Sequence, residues 1–460
     1  MSRVGAEASC VVVLAGGKGT RMQSNVTKVR HPVAGLPMLV YPVLAAQQAG
    51  AKKVVVVTSP EDDFADILPN GATTATQAEA LGTGDAVKAA ESATVGADHV
   101  IVLSGDTPLI DSDLITELAE AQSESGAAMV IATARLADPT GYGRIVRDAH
   151  GHVEHVAETK VAGDASTAEL AIDEVNSGIY VFDRDKLFAA LAEVKSDNAQ
   201  GEYYLPDVLP ILRAQGDTVI AHELASPDHM LGVNDRADLG LVQQLMNDRI
   251  VRDHQLTGVT VIDAESTWIE ATVKIGADTV LEPATYLRGT TEIADGATIG
   301  PGSTIIDSKI ESDARVIHSY LTEAVVGPGA SVGPFAYLRP GAVLAEGSKV
   351  GTFVEVKNSV IGPGAKVPHL SYIGDADVGE GSNLGAATIT ANYDGKKKHR
   401  TTIGAGVRTG VDTTLVAPVT VGDGAYTGAG SVITRDVPAD ALAVARERQK
   451  IIENYANRRA

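Results

Sequence analysis

The stretch KIGADTVLEPATYLRGTTEIADGATIGPGSTI, residues 274–305, carries an aliphatic residue at every sixth position: Ile275, Leu281, Leu287, Ile293, Ile299 and Ile305. A second register runs through Val326, Val332, Leu338, Leu344, Val350 and Val356, and a third through Ile361, Val367 and Ile373. A six-residue period makes each repeat one flat side of a parallel β-helix, with the aliphatic side chain pointing inward. Gly often follows the aliphatic residue, as in Ile275-Gly276, Ile299-Gly300, Val326-Gly327, Ile361-Gly362 and Val421-Gly422. There it is expected to serve a tight corner at positive φ. A helical heptad is excluded by the period and by the abundance of Gly and Pro. The period breaks over Thr390–Thr402, around Asn392-Tyr393-Asp394-Gly395-Lys396-Lys397-Lys398-His399-Arg400. An insertion in a solenoid must loop out at a corner, where binding sites often form. A plain solvated basic loop is the other reading of that run. After Val437-Pro438 the chain reads as a helical tail, 439–460.

Before residue 256 the pattern is different. Val11–Leu14, Val54–Val57, Val100–Leu103 and Met129–Ala132 read as buried strands. Leu39–Ala49, Asp85–Ser92 and Leu114–Ser123 read as the helices between them, which implies a mostly parallel sheet covered on both faces. Leu239, Val242, Leu245, Met246 and Ile250 recur at helical spacing, so 234–255 reads as a linking helix, with Asn234 or Asp235 as its N-cap. The division is therefore 1–233, 234–255, 256–438 and 439–460. At 460 residues the chain is long enough for more than one domain. Its formal charge of −21 disfavours nucleic acid and acidic membranes as partners. A single cysteine, Cys10, excludes an internal disulfide, and its apolar neighbours make it a buried thiol. The first residues lack a secretory pattern and no apolar run is long enough to span a bilayer, so the protein is expected to be cytoplasmic.

Leu14-Ala15-Gly16-Gly17-Lys18-Gly19-Thr20-Arg21-Met22 directly follows the first strand. Its glycines let backbone N–H groups approach a phosphate or a base, and Lys18 and Arg21 supply positive charge. It is neither a dinucleotide fingerprint nor a Walker A loop. Downstream come Lys28, Gln77, Leu81-Gly82-Thr83-Gly84, Ser104-Gly105-Asp106-Thr107-Pro108, Gly141-Tyr142-Gly143-Arg144, Glu158, Asn176-Ser177-Gly178, Gln200-Gly201-Glu202-Tyr203-Tyr204 and Gly232-Val233-Asn234-Asp235-Arg236. The whole series resembles the nucleotidyltransferases that activate sugar 1-phosphates. With the hexapeptide half, it is similar to the bifunctional bacterial N-acetylglucosamine-1-phosphate uridylyltransferase/glucosamine-1-phosphate acetyltransferase family over nearly the whole chain. The resemblance implies an α/β Rossmann-like nucleotidyltransferase domain followed by a left-handed parallel β-helix.

For the first activity, the resemblance implies that Asp106 and Asn234 hold Mg²⁺, which favours few carboxylates plus water and phosphates. Lys28 and Arg21 would neutralise charge as a sugar phosphate attacks the α-phosphorus of UTP and pyrophosphate leaves. Uracil recognition falls to the Leu14, Ala15, Gly16 and Gly17 backbone, Gln77, Gly82 and Thr83. The acetylamino sugar falls to Gly143, Glu158 and Asn176. Taken singly, Asp106 is also able to cap the next helix, Lys28 to lie on the surface and Asn176 to support a turn. Gly16 replaces the family's usual Ala, Asp235 its second Asn, and the segment 160–172 is a few residues longer than usual.

The β-helix half carries Tyr337-Leu338-Arg339-Pro340-Gly341, Phe353-Val354-Glu355-Val356-Lys357, Pro368-His369-Leu370-Ser371-Tyr372-Ile373-Gly374-Asp375, Asn383-Leu384-Gly385-Ala386 and Asn392-Tyr393-Asp394-Gly395. Arg339 and Lys357 are 18 residues apart, one full turn of a three-sided helix, so neighbouring coils stack them on one face. Acetylating a sugar ammonium needs a base effective near neutral pH, which suits His. By resemblance His369 is that base. Arg339 and Lys357 would hold the phosphate of glucosamine 1-phosphate, and the resemblance implies that Tyr372 and Asn383 complete its site. Ala386, Asn392, Tyr393, Val411, Ala429 and Arg446 match positions that meet acetyl-CoA. Ala387 stands for the family's usual Gly, and Val411 for its usual Ser. Members of the family form trimers with acetyl sites at subunit junctions. The alternatives are a nucleotidyltransferase whose β-helix is only a scaffold, and a non-catalytic subunit of the same architecture. The retention of Lys28 and Asp106 argues against the latter.

Overall fold

The computed structural model describes residues 6–17, 19–159, 165–196 and 201–459. Contacts divide the chain into two units, Met1–Met246 and Asn247–Ala460. Lys18 and Gln200 lie outside the described residues, as do residues 160–164 of the long segment.

In the first unit the β-branched runs become strands β1 (Ser9–Leu14), β2 (Lys53–Thr58), β3 (Ala72–Thr76), β4 (His99–Ser104), β5 (Met129–Arg135), β6 (Glu174–Asp183) and β7 (Val219–Glu223). Their order across the sheet is β7-β5-β6-β4-β1-β2-β3. All neighbours are parallel except β6, which runs antiparallel to both β4 and β5. Val12 lies in register with Val55 on one side and Val102 on the other, and all are buried. Burial on both faces explains why these strands read as unbroken apolar runs. Cys10 lies among them, and burial pushes its thiol up to about 11. Helices α1 (Val40–Gln48), α2 (Thr83–Ala89) and α3 (Ser112–Ser125) flank the sheet. Asp111 caps α3 by accepting from the Leu114 N–H, and Gly126 ends it at φ 59°.

Helix α4 spans Arg236–Leu256. Asp235 caps it, its Oδ1 accepting from the N–H groups of Ala237 and Asp238. Of the two candidate caps the fold uses Asp235, which releases the Asn234 side chain for other work.

The second unit winds short strands into three parallel sheets of 7, 10 and 9 strands. The inward aliphatics, among them Leu281, Leu287, Ile299, Val326, Leu338, Val350 and Ile373, form one continuous buried column. This is the construction of a left-handed parallel β-helix. The register changes read in the sequence are shortened corners. A coil takes eighteen residues from Ser331 to Lys349, seventeen from Glu292 to Lys309 and sixteen from Arg315 to Ser331, with pairing kept throughout. At the insertion the step lengthens to twenty-five, from Asp377 to Thr402.

Two sequence expectations are corrected. The glycines after the inward aliphatics mostly do not serve a positive φ. At Gly327 and Gly362 a Cβ would fall 2.6 Å from the Leu344 oxygen and 2.7 Å from the Val378 oxygen of the next coil. These positions need Gly because coils stack at backbone distance. The left-handed corners are shared between side-chain-bearing residues such as Asp313, Phe335, Phe353 and Asp375 and other glycines. The tail 439–460 is not a helix. It adds one short strand, Leu442–Ala443, paired with Tyr426–Thr427, and a single 3-10 turn at Ala456–Arg459. Pairing to the last coil satisfies its backbone better than a short polar helix with nothing to pack on.

Candidate active sites

Leu14 and Ser104 are in register at the carboxyl ends of β1 and β4, the place where open α/β sheets bind ligands. A cavity of about 270 Å³ opens there, lined by Leu14, Ala15, Gly16, Gly17, Lys28, Gln77, Gly82, Thr83, Ser104, Asp106 and Glu202. It thus gathers most of the residues expected to meet UTP. Gly82 stands at φ 107°, and a Cβ there would lie 2.6 Å from the Tyr203 oxygen, so only Gly fits. Gly105 donates from its N–H to the Leu14 oxygen at 2.8 Å, which holds the Asp106 turn against the first loop.

A second cavity of about 240 Å³ is lined by Asp106, Thr107, Tyr142, Ser177, Gly178, Tyr180, Met230, Gly232 and Asn234. Asp106 borders both cavities. Its Oδ1 accepts from the Ser104 hydroxyl at 2.6 Å and its Oδ2 pairs with the Lys28 ammonium. Asn234 Oδ1 accepts from the Arg21 guanidinium at 2.9 Å. The Val233 N–H donates to the Asp106 carbonyl at 2.9 Å, joining the two loops. The two residues expected to hold a metal thus line one cavity, and each already attracts a cation. Asn176 donates to the Tyr180 hydroxyl at 2.7 Å and accepts from the Gly178 N–H at 3.0 Å. A register shift in β6 between Asn176 and Tyr180 turns this segment. The Asn176 N–H bonds the Gly143 oxygen at 2.9 Å, tying together two of the residues expected to meet the sugar. Burial, with a smaller push from the Glu158 carboxylate, raises the Tyr180 phenol well above its ordinary value. Ser104, Tyr142 and Tyr180 were not singled out by sequence; the first two lay within quoted motifs.

In the β-helix, Tyr337 is in register with Glu355 and Leu338 with Val356, so Arg339 and Lys357 do stack on adjacent coils. Arg339 donates to Glu355 at 2.8 Å and lies over the Tyr337 ring. Lys357 lies 3.9 Å from Asp375 Oδ2. The Lys398 amine faces Lys357, whose close side-chain contact and charge both lower its proton affinity. Asp375 is buried and accepts from Asn358 at 2.6 Å and from Asn392 at 2.5 Å. Asn392 also reaches the Tyr372 hydroxyl at 3.4 Å. Gly374 makes room for this: a Cβ there would meet the Tyr372 oxygen at 2.4 Å. The insertion leaves its corner between Asn392, held by Asp375, and Arg400, held by Asp377. His369 ends the strand Lys366–His369 with an exposed ring, across the left-handed corner at Leu370 from Tyr372.

The expected acetyl-CoA positions climb one corner. The Asp412 N–H bonds the Ala386 oxygen, the Gly430 N–H bonds the Val411 oxygen, and Arg446 bonds the Ala429 oxygen. Asn392 instead belongs with Tyr372 and Asp375, and Tyr393 is exposed on the insertion. Asn383 lies between Lys366 and Arg408 in successive coils. Asp375, Asn358 and Lys398, which the structure places beside Lys357 and Asn392, were not among the candidate residues read from the sequence. Asp375 had a signal, since it closes the quoted stretch from Pro368.

Residues 11–202 match the model of the MobA-like NTP transferase domain. The bifunctional protein GlmU of Streptomyces avermitilis is 47% identical over 98% of this chain and 94% of its own length. The chain belongs to the GlmU family. GlmU of Heliobacterium modesticaldum is 48% identical over 97% of this chain and 98% of its own, and that of Mycobacterium marinum 46% over 98% and 93%. Both units are therefore within the GlmU match. Among the described residues no helix is long and apolar enough to cross a membrane.

Proposed function

We infer that the chain acetylates glucosamine 1-phosphate with acetyl-CoA and then transfers UMP from UTP to N-acetylglucosamine 1-phosphate. The observation that carries the reading is the joint presence of two separately built sites. One gathers the first loop, Gln77, Gly82, Thr83, Lys28 and Asp106 around a single cavity. The other stacks Arg339 and Lys357 on adjacent coils beside Tyr372.

In the first site, the Gly-rich backbone and Gln77 hold the base, and Lys28 and Arg21 draw in the phosphates. Gly143, Glu158 and Asn176 take the acetylamino sugar. One carboxylate and one amide oxygen, Asp106 and Asn234, suit Mg²⁺, and the Lys28 and Arg21 contacts attest the negative potential there. Bound Mg²⁺ supplies charge neutralisation on the phosphates. Such transfer depends on position and charge more than on a base.

In the second site, Arg339, Lys357 and Lys398 take the sugar phosphate, and Tyr372 and Asn383 hold the sugar. His369 removes the ammonium proton at a ring nitrogen. The amine nitrogen then bonds the acetyl carbon directly, the carbon–sulfur bond breaks, and the nitrogen's second proton passes to the leaving sulfur to release CoA. Ala386, Val411, Ala429 and Arg446 form the acetyl-CoA line. Asn392 and Tyr393 lie elsewhere on the single chain, which favours a junction between copies. Phe335, Phe353 and Leu370 support a trimer: they form an apolar ladder on one corner beside His369, each more than half exposed at 56%, 58% and 59%.

The test assays the pure protein with glucosamine 1-phosphate, acetyl-CoA, UTP and Mg²⁺, following CoA and pyrophosphate separately. Release of both, with pyrophosphate dependent on acetyl-CoA, is the expected result. Pyrophosphate only with added N-acetylglucosamine 1-phosphate, and no free CoA, would reduce the β-helix to a scaffold.

A further inference from the structure

Gln77 is buried at the wall of the first cavity, 7% exposed. Its amide nitrogen donates to the Gly82 carbonyl at 3.1 Å and to Asp85 Oδ2 at 2.8 Å. A carbonyl oxygen and an ionised carboxylate can only accept. The NH₂ end of the amide must therefore lie on their side, and the oxygen on the other. That oxygen faces Gly16, where a methyl group would sit 3.5 Å from it, in the cavity that both residues line. Among the described residues no group donates to it.

We propose that Asp85 is a positioning residue that sets base specificity: by fixing the Gln77 amide, it presents the nucleotide with a hydrogen-bond acceptor and no donor. The proposal rests on the uridylyl-transfer reading and deepens it. Uracil carries a ring N–H at N3, which satisfies the Gln77 oxygen. Cytosine has the same size, but its N3 is an acceptor, so its lone pair would oppose that oxygen. A site that leaves a buried acceptor unpaired rejects the wrong ligand far more strongly than one that merely differs in size. A free glutamine would discriminate poorly, because half a turn of its amide converts acceptor to donor. Asp85, together with the longer bond to the Gly82 carbonyl, removes that freedom.

Asp85 also stands in the first turn of α2, where a carboxylate favours the helix dipole. A role limited to the helix would weaken UTP and CTP use alike, so the ratio separates the two roles. Asp85→Asn offers Gln77 both an acceptor and a donor in nearly the same volume. Asp85→Ala leaves the Gly82 carbonyl as the remaining acceptor. The full chain and both variants are assayed with N-acetylglucosamine 1-phosphate and Mg²⁺, giving kcat and KM for UTP and for CTP. In Asp85→Asn the UTP:CTP ratio of kcat/KM is expected to fall about tenfold or more, with kcat/KM for CTP rising in absolute terms. Asp85→Ala should give an intermediate ratio, and serves alone if the Asn variant does not fold. An unchanged ratio in the folded variants, with both nucleotides weakened in parallel, would overturn the assignment of Asp85 and leave uridylyl transfer standing. A wild-type protein that releases no pyrophosphate from UTP would overturn the uridylyl-transfer reading itself.

Discussion

Asp375→Asn is the most informative single change in the β-helix. The wild-type carboxylate is buried, with one oxygen accepting from Asn358 at 2.6 Å and the other from Asn392 at 2.5 Å, beside Lys357 at 3.9 Å. Asparagine keeps one acceptor and turns the other oxygen into an NH₂ group. With the Asn358 and Asn392 amides in their present orientation, that group faces an amide donor. One charge-assisted bond is lost and a buried donor loses its partner, at about 2–4 kcal/mol together. If all of it falls on the geometry of Lys357 and Asn392, kcat/KM for glucosamine 1-phosphate drops between about thirtyfold and a thousandfold. Uridylyl transfer, measured on the same sample with N-acetylglucosamine 1-phosphate, should be unchanged. The stability effect has a definite pH sign. Burial pushes the Asp375 carboxyl up, but the Asn358 and Asn392 bonds and the Lys357 and Lys398 charges outweigh it and hold it below its ordinary value. Its contribution is therefore complete above the unfolded carboxyl's value and is lost as pH falls through the lower folded value. Urea unfolding read at Trp268, the chain's one tryptophan and part of the second unit, should show a large difference between wild type and variant at pH 7 that shrinks in acid. Unimpaired acetylation, or a difference that grows toward low pH, would refute the reasoning.

With each half given its own substrate, glucosamine 1-phosphate for acetylation and N-acetylglucosamine 1-phosphate for uridylylation, His369→Ala should abolish CoA release and leave pyrophosphate release intact, while Asp106→Ala should do the reverse; loss of both activities in either folded variant would contradict two separate sites. Gly362→Ala places a methyl 2.7 Å from the Val378 oxygen, whereas at Gly364, φ 63°, nothing lies within 4 Å. The first should cost about 1–3 kcal/mol as the coils part and the second about 1–2 kcal/mol from backbone strain alone, both read at Trp268. On the proposed trimer, Phe335→Ser with Phe353→Ser should convert trimer to monomer in sedimentation and remove acetylation; a wild type that sediments as a monomer, or a variant that remains trimeric, would exclude this corner as the contact.

The legibility of the sequence differed between local and distant contacts, and the reason is physical. Inward aliphatics such as Leu281 and Ile299 announce themselves because the period of a flat side is written in consecutive residues. Stacking of Arg339 on Lys357 was also readable, since that coil is a full eighteen residues. The glycine reading failed because the constraint at Gly327 comes from Leu344, one coil away, and leaves no trace in the local φ preference. Asp375 escaped for a related reason. Its partners Asn358 and Asn392 each lie 17 residues away, but they lie in coils whose lengths had already slipped from the repeat. In the first unit the glycine-rich loop, Gln77 and Asp106 follow strand ends, where a sheet's order dictates what must converge. Asp85 does not, because its importance arises through the amide it holds. A residue that acts through another carries no chemical signature of its own in the chain. It becomes visible when the acceptors around Gln77 are counted in three dimensions and leave its amide one orientation.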